Sequence, residues 1–149
     1  MSATIAPVQS DLGEFMPTLR FHPFWLSCGY GFVLLVIVLS LMPPPPDVAP
    51  DSANFGHIIA YFWLMIWFAQ IYRRPVPRIL LAVAFGALGI TLEFVQGMTG
   101  YRHFDYLDMV RNLVGIAFGL VLARTPLQDA LLRVEHTLAR YGRRGTSNR

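Results

Sequence analysis

The chain has 149 residues, room for one domain, and 54% of them are hydrophobic while only 14% are charged, against roughly 25% charged in an average soluble domain. With a mean hydropathy of +0.47, so short a chain has too little interior to hide its apolar side chains, and a bilayer is the expected solvent. The formal charge of +3 comes from 12 basic residues, every one an arginine. These are dispersed through short loops and a tail and exclude a nucleic-acid groove, while the lone Cys28 excludes an intrachain disulfide or a cysteine-based zinc site.

Residues 1–23, with Asp11, Glu14 and Arg20, read as a cytoplasmic leader. Phe24–Met42 carries no charge and spans about 28 Å as a helix, enough to cross a bilayer. It exceeds the apolar core of a signal peptide and lacks a following A-x-A site, so it is expected to be retained. Pro43–Pro46 ends it, since proline lacks the amide a helix needs and clashes with the preceding turn. An acidic, proline-rich loop leads to the second span, Phe55–Tyr72. A basic turn with Arg73, Arg74 and Arg78 precedes the third, Ile79–Met98, which Glu93 and Gln96 interrupt. After a polar connection the fourth helix is predicted over 105–123. From Pro126 onward Leu127, Leu131, Val134 and Leu138 recur at helical spacing beside Arg133, Arg140, Arg143 and Arg144, the pattern of an amphipathic helix lying on a membrane surface. The predicted fold is all-α: an integral membrane four-helix bundle (spans 24–42, 55–72, 79–98 and 105–123) followed by a basic amphipathic cytoplasmic tail, 124–149.

Arginine placement sets the expected orientation. With both termini cytoplasmic, ten arginines fall inside and only Arg102 and Arg111 outside, as the positive-inside rule prefers. His57, Glu93, Gln96, Arg102, Asp105, Asp108 and Asn112 then all belong to the outer half. At about 100° per residue each helix presents one polar-and-small stripe. His57 shares its face with Asn54 and Tyr61; Glu93 and Gln96 share theirs with Gly86 and Gly89; Asp105, Asp108 and Asn112 share theirs with Gly115 and Gly119. Polar side chains in lipid must face protein or water, so the stripes are expected to meet in an outer-leaflet cleft.

Glu93 is the sharpest residue, because a carboxylate in mid-span needs a proton, a cation or a metal beside it. Glu93, His57 and Asp108 are therefore the candidate catalytic groups, and Arg102, Gln96, Asp105, Asn112 and Tyr61 the candidate substrate-binding ones. Against these stand blander readings: Glu93 as a hydrogen-bonding helix glue, His57 as a packing residue, Asp105 as a helix-dipole contact, and Arg111 snorkelling outward to headgroups. A metal held by His57, Glu93, Asp105 and Asp108 is a weaker alternative, and no cofactor is implied.

The spacing H-x3-Y (His57, Tyr61), then E-x2-Q (Glu93, Gln96), then R-x2-D-x2-D-x3-N-x2-G (Arg102, Asp105, Asp108, Asn112, Gly115) resembles the VanZ-like family of membrane proteins, over residues about 35 to 123. Family members commonly carry Asp-Lys where this chain has Ala53 and Asn54. The resemblance implies an inner-membrane protein of the bacterial cell envelope, associated with resistance to the glycopeptide teicoplanin. Its implied partners are the lipid bilayer and a lipid-linked cell-wall precursor or phospholipid headgroup, with no nucleic acid and the oligomeric state open. The expected function is an outer-leaflet polar site that binds, and in an enzymatic version alters, such a ligand. The alternatives are a non-enzymatic binding or scaffold protein and, less favoured, a proton or ion pathway.

Overall fold

The computed structural model describes residues 19–43, 50–102 and 104–146, with backbone alone at 50–54 and 142–146. The expected leader up to residue 18, the loop at 44–49 and the side chains of Ala53 and Asn54 lie outside the described residues. Among the described residues five α-helices follow one another: α1 (His22–Leu41), α2 (Pro50–Ile71), α3 (Pro75–Met98), α4 (Tyr106–Leu122) and α5 (Ala130–Thr146), with a 3-10 turn at Pro126–Asp129 before the last. Prolines sit in the first turns of α1 and α3, where the missing amide has no partner to lose. No strand occurs among the described residues.

The outer surface is largely apolar, and several polar side chains lie inside among the buried hydrophobic ones. Gln70, Glu93, Gln96 and Asn112 are buried, while Leu34, Leu35, Ile79, Val83, Phe118 and Val121 are exposed on the outer surface. Such a surface suits a lipid surround, where acyl chains solvate leucine as well as a protein core does and leave polar groups to find one another. Among the described residues, α1 and α3 are each long and apolar enough to cross a membrane. The apolar part of α2, Phe55–Ile71, is shorter, and α4 passes the same test only as a bent pair with the tail helix, at 79°.

The bundle closes on α2, whose Tyr61, Leu64, Met65, Ile66, Phe68 and Ala69 are all buried. It meets α4 across Gly115 and Gly119. A Cβ on Gly115 would collide with the backbone of Ile58 and Phe62, and one on Gly119 would lie 2.6 Å from Met65 Cβ, so the two backbones touch where only hydrogen intervenes. By contrast α1 buries Gly29 alone and leans on α2 through aromatic rings, with Phe32 and Trp67 centroids 4.8 Å apart and Trp25 and Trp67 6.0 Å apart.

Two charged side chains tie the arginine-rich end together. Arg78 donates from Nε to Tyr72 O at 2.9 Å, from Nη1 to Ala123 O at 2.9 Å, and from Nη2 to Ala69 O at 2.7 Å and Gln128 Oε1 at 3.1 Å. It thus occupies carbonyls that the ends of α2 and α4 leave without helical partners. Glu135 of α5 reaches the start of α1, accepting from Arg20 N at 2.7 Å, Phe21 N at 2.9 Å and Trp25 Nε1 at 2.7 Å.

Burial by itself would raise the Glu135 carboxyl; the backbone amides of Phe21 and Arg20 and the Trp25 indole outweigh it and hold the group below its ordinary 4.5. A depressed folded-state value means stabilisation that is complete above 4.5 and is lost as pH falls below it. Glu135→Gln should therefore cost about 1–3 kcal/mol near neutrality. In thermal scans of detergent-solubilised protein the gap between the two proteins should close as pH drops through the carboxylate range. A gap independent of pH would show that the charge is not what holds α1.

Candidate functional site

The polar cluster forms where α2, α3 and α4 meet, at the end of the bundle away from Arg78. His57 and Tyr61 lie one turn apart on α2 and share a face. Glu93 comes from α3, Asp108, Arg111 and Asn112 from α4, and Asp105 caps α4, its Oδ1 accepting from Leu107 N at 2.8 Å. The connection from α3 turns back at Gly100, whose φ of 77° lies in the left-handed region open to glycine. That return brings Asp105 N to 2.7 Å from Glu93 Oε1.

Glu93 is 1% exposed and Tyr61 is 2% exposed. The second carboxylate oxygen of Glu93 and the Tyr61 hydroxyl are both buried without a hydrogen-bond partner. The His57 ring is held at both nitrogens, Nδ1 at 3.1 Å from Asn112 Oδ1 and Nε2 at 3.4 Å from Asp108 Oδ2. Both partners present oxygen, so each contact calls for an N–H on the ring. Arg111 pairs with Asp108 through Nη1, which also lies 3.5 Å from Asp105 Oδ2. Gly89 makes room for all this: a Cβ there would come 2.8 Å from Asn112 Nδ2 and 3.2 Å from the Tyr61 hydroxyl.

Three further polar residues are engaged elsewhere. Gln96 Nε2 donates to Ser40 O at 2.7 Å, the Tyr101 hydroxyl to Leu41 O at 2.6 Å, and Arg102 to Met42 O from Nε and Nη2 at 3.4 and 3.2 Å. Together they satisfy the carbonyls that the end of α1 exposes. Gln96 and Arg102, expected as ligand-binding groups, are thus α1 capping groups that also line a cleft of about 200 Å³ with Leu39, Ala60, His57 and Tyr61. Arg111, expected to snorkel outward, instead supplies the cluster with a guanidinium. The Asp108–Arg111 i,i+3 spacing was the available signal; Tyr101 had none. Among the described residues no three His, Cys, Asp or Glu side chains converge as a metal-holding set, against the alternative metal site of His57, Glu93, Asp105 and Asp108.

An uncharacterized protein of fission yeast (Schizosaccharomyces pombe) is 35% identical over 115 residues, covering 74% of this chain and 68% of its own. The chain belongs to that protein's family. No family profile matches the chain, and no solved structure matches it. The fission yeast relative overturns the expected function. It is eukaryotic and points away from a VanZ-type protein of the bacterial cell envelope with a lipid-linked precursor and teicoplanin resistance. The physical reason is that buried polar stripes encode a depth in a bilayer, and nothing in their spacing encodes which organism's membrane that is.

Proposed function

We propose that the chain houses a membrane-embedded acid–base site, with Glu93 exchanging a proton with a polar group that reaches the cluster through the cleft at His57. The observation that carries this reading is the unpartnered oxygen of the fully buried Glu93, with the buried Tyr61 hydroxyl unpartnered as well. A fold built only for stability leaves few such atoms, since each costs about 1–3 kcal/mol. His57, held between Asp108 and Asn112 and facing the cleft, is the group through which the proton passes, and Asp108 with Arg111 positions the ring.

The cleft is walled by apolar residues of α1 and α2 and is polar where His57 and Arg102 border it, which suits a bilayer-resident amphiphile with a polar end. No cell-wall precursor and no antibiotic enters this reading. All four of α1 to α4 act as spans, with both ends of the chain on one side. Supporting that topology, Arg20, Arg73, Arg74, Arg78 and Arg124 lie at or near the helix ends on one side, and Arg102 and Arg111 lie toward the other.

Glu93→Gln keeps shape and hydrogen bonding while removing the exchangeable carboxyl proton. Infrared difference spectra of the purified protein between acidic and alkaline buffer should contain a protonated-carboxyl band that the variant lacks. Membranes carrying the wild type should differ from those carrying Glu93→Gln in at least one extracted amphiphile, with its turnover reduced by about a hundredfold or more. A folded Glu93→Gln protein with an unchanged extract and the same infrared band would end the proposal.

A further inference from the structure

We infer that α5 is a docking surface for the anionic headgroups of the leaflet at the arginine-rich end of the bundle, held there by Glu135. The surface is independent of the acid–base cluster and lies at the opposite end of the fold.

The 79° bend between α4 and the tail helix turns α5 across the bundle end, so a helix following a span lies close to the plane of the membrane surface. At about 100° per residue its side chains fall into three adjoining sectors. One is the anchor. Leu131 is buried, with its amide donating to Gln70 Oε1 at 3.0 Å, and Glu135 is buried against the start of α1. The next is apolar and uncovered, with Val134, Leu138 and Tyr141 all exposed. The third is basic, where Arg133, His136, Thr137 and Arg140 border a shallow groove of about 370 Å³.

Charge decides the occupant. Glu135 is the only acid in the helix, and it is turned inward and saturated by three donors. The nearest acid before the helix, Asp129, is paired with Arg73 at 2.8 Å. What α5 shows to its surroundings is therefore apolar and cationic together. That combination suits an interface where acyl chains meet phosphate-bearing, negatively charged headgroups. Exposed Phe21 and Phe24 at the start of α1 continue the apolar rim.

The test uses the full chain in vesicles, in a Cys28→Ser background with Leu138→Cys carrying an environment-sensitive label. Nitroxide-labelled phosphatidylserine should quench that label more strongly than nitroxide-labelled phosphatidylcholine. Replacing Arg133 and Arg140 together with glutamine should cut the excess by at least about fivefold, the change expected for one arginine near a charged surface. Both arginines are exposed, so the fold should persist, and Arg124→Gln outside the helix should leave the excess in place. A label quenched by neither lipid would leave this face to a soluble partner and overturn the inference. Equal quenching by the two lipids, or an excess that survives the double substitution or falls equally with Arg124→Gln, would overturn it too.

Discussion

Arg78→Met should yield a protein that is destabilised by about 2–4 kcal/mol or fails to accumulate in the membrane. Methionine fills much of the arginine's volume, so the loss is one of hydrogen bonds. Three main-chain carbonyls and the Gln128 amide oxygen lose a charged donor. Each such bond is worth about 1.5–3 kcal/mol; Arg78 is half-buried, so water recovers part of that sum. Arg78→Lys should regain less than half of the loss. One ammonium cannot reproduce a planar fork that reaches Ala69, Tyr72 and Ala123 at once. Circular dichroism during heating in detergent reads all three proteins. A methionine variant melting within about 2 °C of the wild type would mean that the helix ends are held by something else.

The second large effect is expected at Gly115. Alanine there places a methyl group against the Ile58 carbonyl and the Phe62 amide. Backbone cannot rotate aside as a side chain does, so α2 and α4 must separate. The cost should exceed the roughly 1–3 kcal/mol of ordinary overpacking. The site should fail with the fold's tightness, because His57 and Tyr61 are on one side of that seam and Asp108 and Asn112 on the other. Gly31→Ala is the matched control: a Cβ there meets nothing within 4 Å, and alanine's better helix propensity should stabilise by up to about 1 kcal/mol. If Gly115→Ala melts like Gly31→Ala, close backbone approach is not what joins the two helices.

Much of this architecture is legible from residue order, and the reasons differ by feature. Helix positions follow from runs without charge, so the expected and observed helices largely overlap; the structure adds a turn before Phe55 and places Pro75 and Pro77 inside α3. The meeting of His57, Asp108 and Asn112 was expected because a polar stripe in lipid has few places to go. What escaped were partners set by tertiary placement. Arg78 counted only as a topology charge, and nothing near it in sequence announces three carbonyl acceptors. Glu135 stands unremarked in the amphipathic tail, yet it holds an amide 115 positions away. Gln96 and Arg102 line the cleft and also bond the carbonyls that close α1, contacts that their place in the sequence does not announce.

Residues far along the chain hold both ends of α1. Helix α1 buries only Gly29. Its final carbonyls wait for Gln96, Tyr101 and Arg102, and its opening amides wait for Glu135. Both closures of α1 thus come from residues made after it, and neither end of that helix is tied until α3 and α5 have followed it.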